Sequence, residues 1–146
     1  MQWTDNFNAN FTWNHSSPWI PIHPNYTTFS VEKQNERIRR FNQLVLFRNN
    51  NLELDNVGKH GNYLFHYIDD NEIVLERYFD RGNQAEIRFR YVLFANFGKS
   101  SKTKDFSEKF RNSFIRISSN SNRSREFLYF KSLRLDPGEA LIVEVE

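Results

Sequence analysis

The spacing of apolar residues changes once along this chain, at Asn51, and nothing else constrains its fold as strongly. Before that point Ile38, Phe41, Leu44, Val45 and Arg48 follow one another at steps of three and four. This spacing predicts one amphipathic helix of about 16 residues. Ser30 can cap its N-terminus, and Glu32 suits the positive end of the helix dipole. Asn49, Asn50 and Asn51 end it, because asparagine tolerates the left-handed cap position. Arg37, Arg39 and Arg40 fall mostly on the other, solvated face.

After Asn51 the period drops towards two. Tyr63–Ile68 and Glu72–Phe79 read as strands joined by the polar turn Asp69-Asp70-Asn71, a β-hairpin. Asp80-Arg81-Gly82-Asn83 makes the next turn. Ile87 to Ala95 alternates sharply at first and loses the alternation at its end. That suggests a strand running from a half-wet edge into a core covered on both faces. Residues 98–112 read as a loop with a short helical turn. Ser113–Ser118 and Ala140–Val145 are further strands. Asp136-Pro137-Gly138-Glu139 is a turn with Pro and Gly in favoured places. The expected fold is mostly β: an antiparallel β-sandwich, preceded by an extended loop and one α-helix.

Residues 1–30 show no period. Pro18, Pro21 and Pro24 forbid a helix through the middle of the stretch. It nevertheless holds Trp3, Phe7, Phe11, Trp13 and Trp19, too many large rings for a solvated tail. The reading is an extended loop that lays its rings onto a surface.

Composition excludes several classes. The 146 residues are about one domain's length, and no apolar run approaches the ~20 needed to cross a bilayer. Aromatics make up 16%, against disorder, and the absence of cysteine excludes disulfide scaffolds and Cys-type zinc sites. A net charge of +2 does not by itself imply nucleic acid. No secretory signal opens the chain. It does carry N-x-[ST] sequons at Asn10, Asn14, Asn25 and Asn122, possible glycan acceptors in a secreted protein.

Candidate chemistry is sparse. His15, His23, His60 and His66 include no i, i+4 pair, so no metal site is expected. Asp69-Asp70-Asn71-Glu72 lacks the spread and central glycine of a calcium loop and reads as a turn. Ile87–Phe94 partly matches an RNA-reading strand. Arg88 and Arg90, however, occupy the small positions where bases would stack, so nucleic acid is not expected. No Gly-rich phosphate loop, Gly-x-Ser-x-Gly or His-Glu-x-x-His occurs.

Specific residues do resemble a known family. Met1-Gln2-Trp3-Thr4-Asp5, Asn8-Ala9-Asn10-Phe11 and Pro18-Trp19-Ile20-Pro21-Ile22-His23-Pro24-Asn25-Tyr26 resemble the stretch P-M-Q-W-D…N-A-G-F…P-W-L-P-V-N-P-N-Y. That stretch is found in α-glucosidases and maltases of the α-amylase superfamily, glycoside hydrolase family 13. Phe29-Ser30-Val31-Glu32 with Gln34 resembles the start of its last barrel helix, and Leu44–Asn49 the body of that helix. Val92–Phe97 and Leu133–Leu141 resemble two strands of its C-terminal β-domain. The departures are Thr4 before Asp5 and Asn10 in place of glycine.

The resemblance implies residues 1–50 as a remnant of the catalytic (β/α)8 barrel, loop plus last helix, and residues 51–146 as the C-terminal β-domain. It implies no catalytic residue here, because the family's nucleophile Asp, acid/base Glu and third Asp lie on earlier barrel strands. No cofactor and no metal is expected. The α-glucoside substrate would belong to the parent protein only, and the missing barrel would be this chain's partner in cis. The parent would be extracellular or membrane-associated on the lumenal side. An alternative with the same motifs is the ectodomain end of an amino-acid transporter heavy chain, a non-enzymatic relative with a membrane transporter as partner. A third is a free-standing sugar-binding β-domain with exposed tryptophans as its platform.

Overall fold

Asn35–Asn50 forms the only long helix among the described residues, α1, and its sequence is helix-favouring in the way its apolar spacing requires. The computed structural model describes residues 2–13, 16–51, 54, 61–79 and 90–145. The chain divides into two compact units, Met1–Val45 and Leu46–Glu146.

In the first unit the opening loop is tied to the turn before α1. The Val31 N–H donates to the Gln2 carbonyl at 2.8 Å, and the Glu32 N–H to the Trp3 carbonyl at 3.0 Å. Asp5 and Lys33 form an ion pair of 2.9 Å. Short 3-10 turns occupy Phe7–Asn10 and Pro24–Thr27. The expected Ser30 cap is present in altered form. Ser30 is fully buried, and its hydroxyl accepts from the Lys33 N–H at 3.3 Å. It thereby closes a turn that leads into α1, which begins at Asn35 and not directly after the cap.

Among the described residues of the second unit eight strands follow: β1 (Gly61–Ile68), β2 (Glu72–Phe79), β3 (Arg90–Asn96), β4 (Lys102–Lys104), β5 (Ser113–Ser118), β6 (Phe127–Leu128), β7 (Leu133–Leu135) and β8 (Ala140–Val145). They build an antiparallel six-stranded sheet in the order β1-β2-β3-β8-β5-β6 and a two-stranded sheet of β4 and β7. The hairpin Tyr63–Phe79 forms as its alternation requires. The loop expected over 98–112 contains β4, a strand too short to show a period. The start of the expected strand at Ile87, and the turn at Asp80, lie outside the described residues.

The core of this unit lies between one face of the large sheet and the segment around β4 and β7. Val74, Val92, Phe94, Ile115, Leu141 and Val143 come from the sheet, and Phe106, Phe110, Phe130, Leu133 and Leu135 face them. Phe94 is the hub: its ring lies 5.3 to 5.8 Å from those of Phe106, Phe110 and Phe130. Burying each such ring contributes about 1.5–3 kcal/mol. On the other face of β3, Tyr91 meets Phe47 edge-on at 5.1 Å, and its hydroxyl donates to the Asn51 side chain at 2.8 Å.

Candidate functional site

Two features of the second unit could hold chemistry, its buried carboxylates and its bulges. Glu72, Glu76 and Glu139 are all at most 5% exposed. Each has a cation. Lys104 Nζ lies 2.6 Å from Glu72 and 3.3 Å from the centre of the Tyr67 ring. Burial works against its charge, but Glu72 and the Tyr67 hydroxyl outweigh it and raise its pKa. Arg123 reaches Glu139 at 3.0 Å, and Glu139 also accepts from the Asp136 N–H at 2.8 Å.

Glu76 has two partners. Arg90 clamps its two oxygens at 2.6 and 3.0 Å, and His66 Nε2 lies 2.5 Å away. His66 is the extra residue where the β1–β2 register slips between Phe65 and Tyr67. Such a bulge re-aims a side chain, and here the His66 ring also meets Phe110 edge-on at 4.9 Å. Burial alone would raise the Glu76 pKa, but Arg90 and His66 reverse this and hold it below the ordinary value. A general acid needs the opposite shift. Glu76 is therefore a structural anion, paired as a buried charge must be.

Asn96 is the neutral counterpart. It is 1% exposed. Its Nδ2 donates to the carbonyls of Ser100, Leu135 and Asp136 at 2.9, 3.2 and 3.2 Å, and its Oδ1 accepts from the Gly98 N–H at 2.9 Å.

The first unit holds the exposed rings. Trp13 and Trp19 are 90% and 93% exposed, and Trp3, Phe7, Phe11 and Phe29 are at least half exposed. Phe11, Thr12 and the run Pro18–His23 line a shallow, mainly apolar cleft with Gln2. No residue of α1 is buried, so its apolar stripe of Ile38, Phe41, Leu44 and Val45 faces outward. The carboxylates of this unit are Asp5, Glu32 and Glu36. Asp5 is held low by Lys33, and Glu36 lies 3.7 Å from Arg40.

The described sequons fall on both units. Asn10 and Asn25 are exposed in the first unit, Asn122 is exposed on the 3-10 turn Ser121–Arg123 of the second, and Asn14 lies outside the described residues. Asn10 takes a left-handed φ of 58°. It stands where the resembling motif has glycine, and asparagine is one of the few residues that tolerates that conformation. Among the described residues no cluster of three or more metal-ligating side chains occurs. His15 and His60 lie outside them. No helix among them is long and apolar enough to cross a membrane.

No family model and no curated protein sequence matches this chain. Solved structures do. Isomaltulose synthase from Klebsiella sp. LX3 superposes with a TM-score of 0.73 at 21% identity, over 99% of this chain and 24% of that one. Trehalulose synthase from Pseudomonas mesoacidophila MX-45 gives 0.72 at 20%, over 99% and 24%. Trehalose-6-phosphate hydrolase of Bacillus licheniformis, as a mutant, gives 0.70 at 17%, over 99% and 25%. The fold is that of one segment of these enzymes. The chain spans about a quarter of the length of these structures. The mostly β architecture with one helix is what the resemblance implied. The buried Glu76–Arg90 and Glu139–Arg123 pairs were not expected from sequence, since their partners stand 14 and 16 residues apart with no motif between them.

Proposed function

We propose that this chain is the C-terminal part of an α-glucosidase of glycoside hydrolase family 13 and is itself non-catalytic. The observation that carries the reading is the near-complete superposition on a quarter of enzymes named for isomaltulose, trehalulose and trehalose-6-phosphate. The outward apolar stripe of α1 and the exposed tryptophans support it, because contiguous apolar surface of this kind belongs against a partner. That partner is the catalytic barrel in cis. The whole protein hydrolyses terminal α-linked glucose with retention, by a nucleophile and an acid/base carboxyl. Residues 1–50 supply the last barrel loop and helix, and the β-domain supports them. Sequons on both units fit an extracellular or lumenal parent.

Sequencing the transcript upstream of Met1 tests the reading. A continuous frame encoding a barrel with the nucleophile Asp, acid/base Glu and third Asp is expected. A frame with a membrane span and without those carboxylates would overturn the α-glucosidase assignment.

A further inference from the structure

We propose that Asn122 is an N-glycan acceptor and that the loop joining β5 to β6 is shaped to present it. The sequon is Asn122-Arg123-Ser124. Its middle residue is the loop's anchor. Arg123 donates through Nε to Glu126 at 3.0 Å, and through Nη1 to the Arg134 carbonyl at 2.9 Å and to Glu139 at 3.0 Å. Glu139 is buried, so this contact pins the turn to the body of the unit. The backbone is held as well. The Asn122 N–H donates to Asn120 Oδ1 at 3.2 Å, and the Asn120 N–H to Ser118 Oγ at 2.9 Å. With Arg123 turned inward, Asn122 and Ser124 are both exposed. The Asn122 carboxamide has no hydrogen-bond partner among the described residues, so a glycan on it displaces no contact of the fold.

The other described sequons differ. In the one at Asn10, the Thr12 hydroxyl is engaged, donating to the Ser16 carbonyl at 2.9 Å and accepting from Asn8 at 2.9 Å. At Asn25 the side-chain oxygen is held against His23 Nδ1. In the transfer itself, Asn122 Nδ2 forms a bond to the anomeric carbon of an oligosaccharide carried on a lipid diphosphate. The amide loses a proton and the lipid diphosphate leaves. This inference rests on the β unit alone and not on the parent's reaction.

The test expresses the full chain behind a cleavable leader in a eukaryotic secretory host. Glycans are removed enzymatically in heavy-oxygen water, which labels each formerly occupied asparagine, and peptides from the secreted and the retained fractions are mapped. Label on Asn122 in most molecules is expected, lost in Asn122→Gln and Ser124→Ala and kept in Ser124→Thr. The thermal midpoint is expected to be the same before and after deglycosylation. An unlabelled Asn122 peptide in both fractions would overturn the proposal, as would label confined to aggregated chain.

Discussion

At the residue scale the second unit is held by a few buried polar groups with no spare capacity. Asn96 donates to three carbonyls, which a carboxylate cannot do. Asn96→Asp is therefore expected to cost about 3 kcal/mol, read from urea unfolding, whereas a surface asparagine changed likewise should cost under about 0.5 kcal/mol. Removing Arg90 strands Glu76 in a dry site. Arg90→Met is expected to cost about 3 kcal/mol at neutral pH. A loss near zero would show that Glu76 reaches water or leans on His66 alone.

The acid limb of stability follows from the carboxylates. Asp69 accepts from the Tyr67 hydroxyl at 2.6 Å and from two backbone N–H groups, and its pKa falls from 3.8 to about 2. Asp5, Asp105, Asp136 and Glu76 are also lowered. A folded pKa below the unfolded one gives stability that is complete above the unfolded value and lost as pH falls through the folded one. The urea midpoint should be flat from pH 7 to about 5 and drop between about pH 4 and 2. Asp69→Asn should make that drop shallower.

At the scale of elements, the turn before β8 carries a clear requirement. Gly138 has a φ of +71° after Pro137, and the Glu139 N–H donates to the Asp136 carbonyl at 3.0 Å, a type II turn. Gly138→Ala meets no atom within 4 Å, so its cost is backbone strain alone, about 1 kcal/mol by thermal melt. The elements legible in the sequence were those long enough to show a period: α1, β1, β2, β3, β5 and β8. The strands Lys102–Lys104 and Phe127–Leu128 were not, since three or two residues carry no alternation and register comes from their neighbours. The Ser30 hydroxyl was read as the helix N-cap, but it caps a turn ahead of the helix. The ion pairs were hidden for another reason. Glu72 and Glu76 alternate in phase with core residues, and charge at a core position has no sequence signal until the sheet brings its partner alongside.

At the scale of the molecule, the two units differ in what covers them. The β unit encloses its own phenylalanine core, while the first unit leaves its largest rings in solvent. All three tryptophans lie in residues 1–45. The isolated chain should therefore emit as solvated indole and be quenched freely by acrylamide. A longer chain that includes the barrel should emit to the blue and resist quenching. Substituting the outward helix residue Phe41 by serine should change stability by under about 0.5 kcal/mol in this chain. The central claim is that this chain supports a glycosidase without containing its chemistry. Hydrolysis of an aryl α-glucoside by the purified 146-residue chain tests it most directly. The account predicts release of the phenol at the buffer rate across pH 4 to 8, and saturable turnover above that rate in clean material would contradict it.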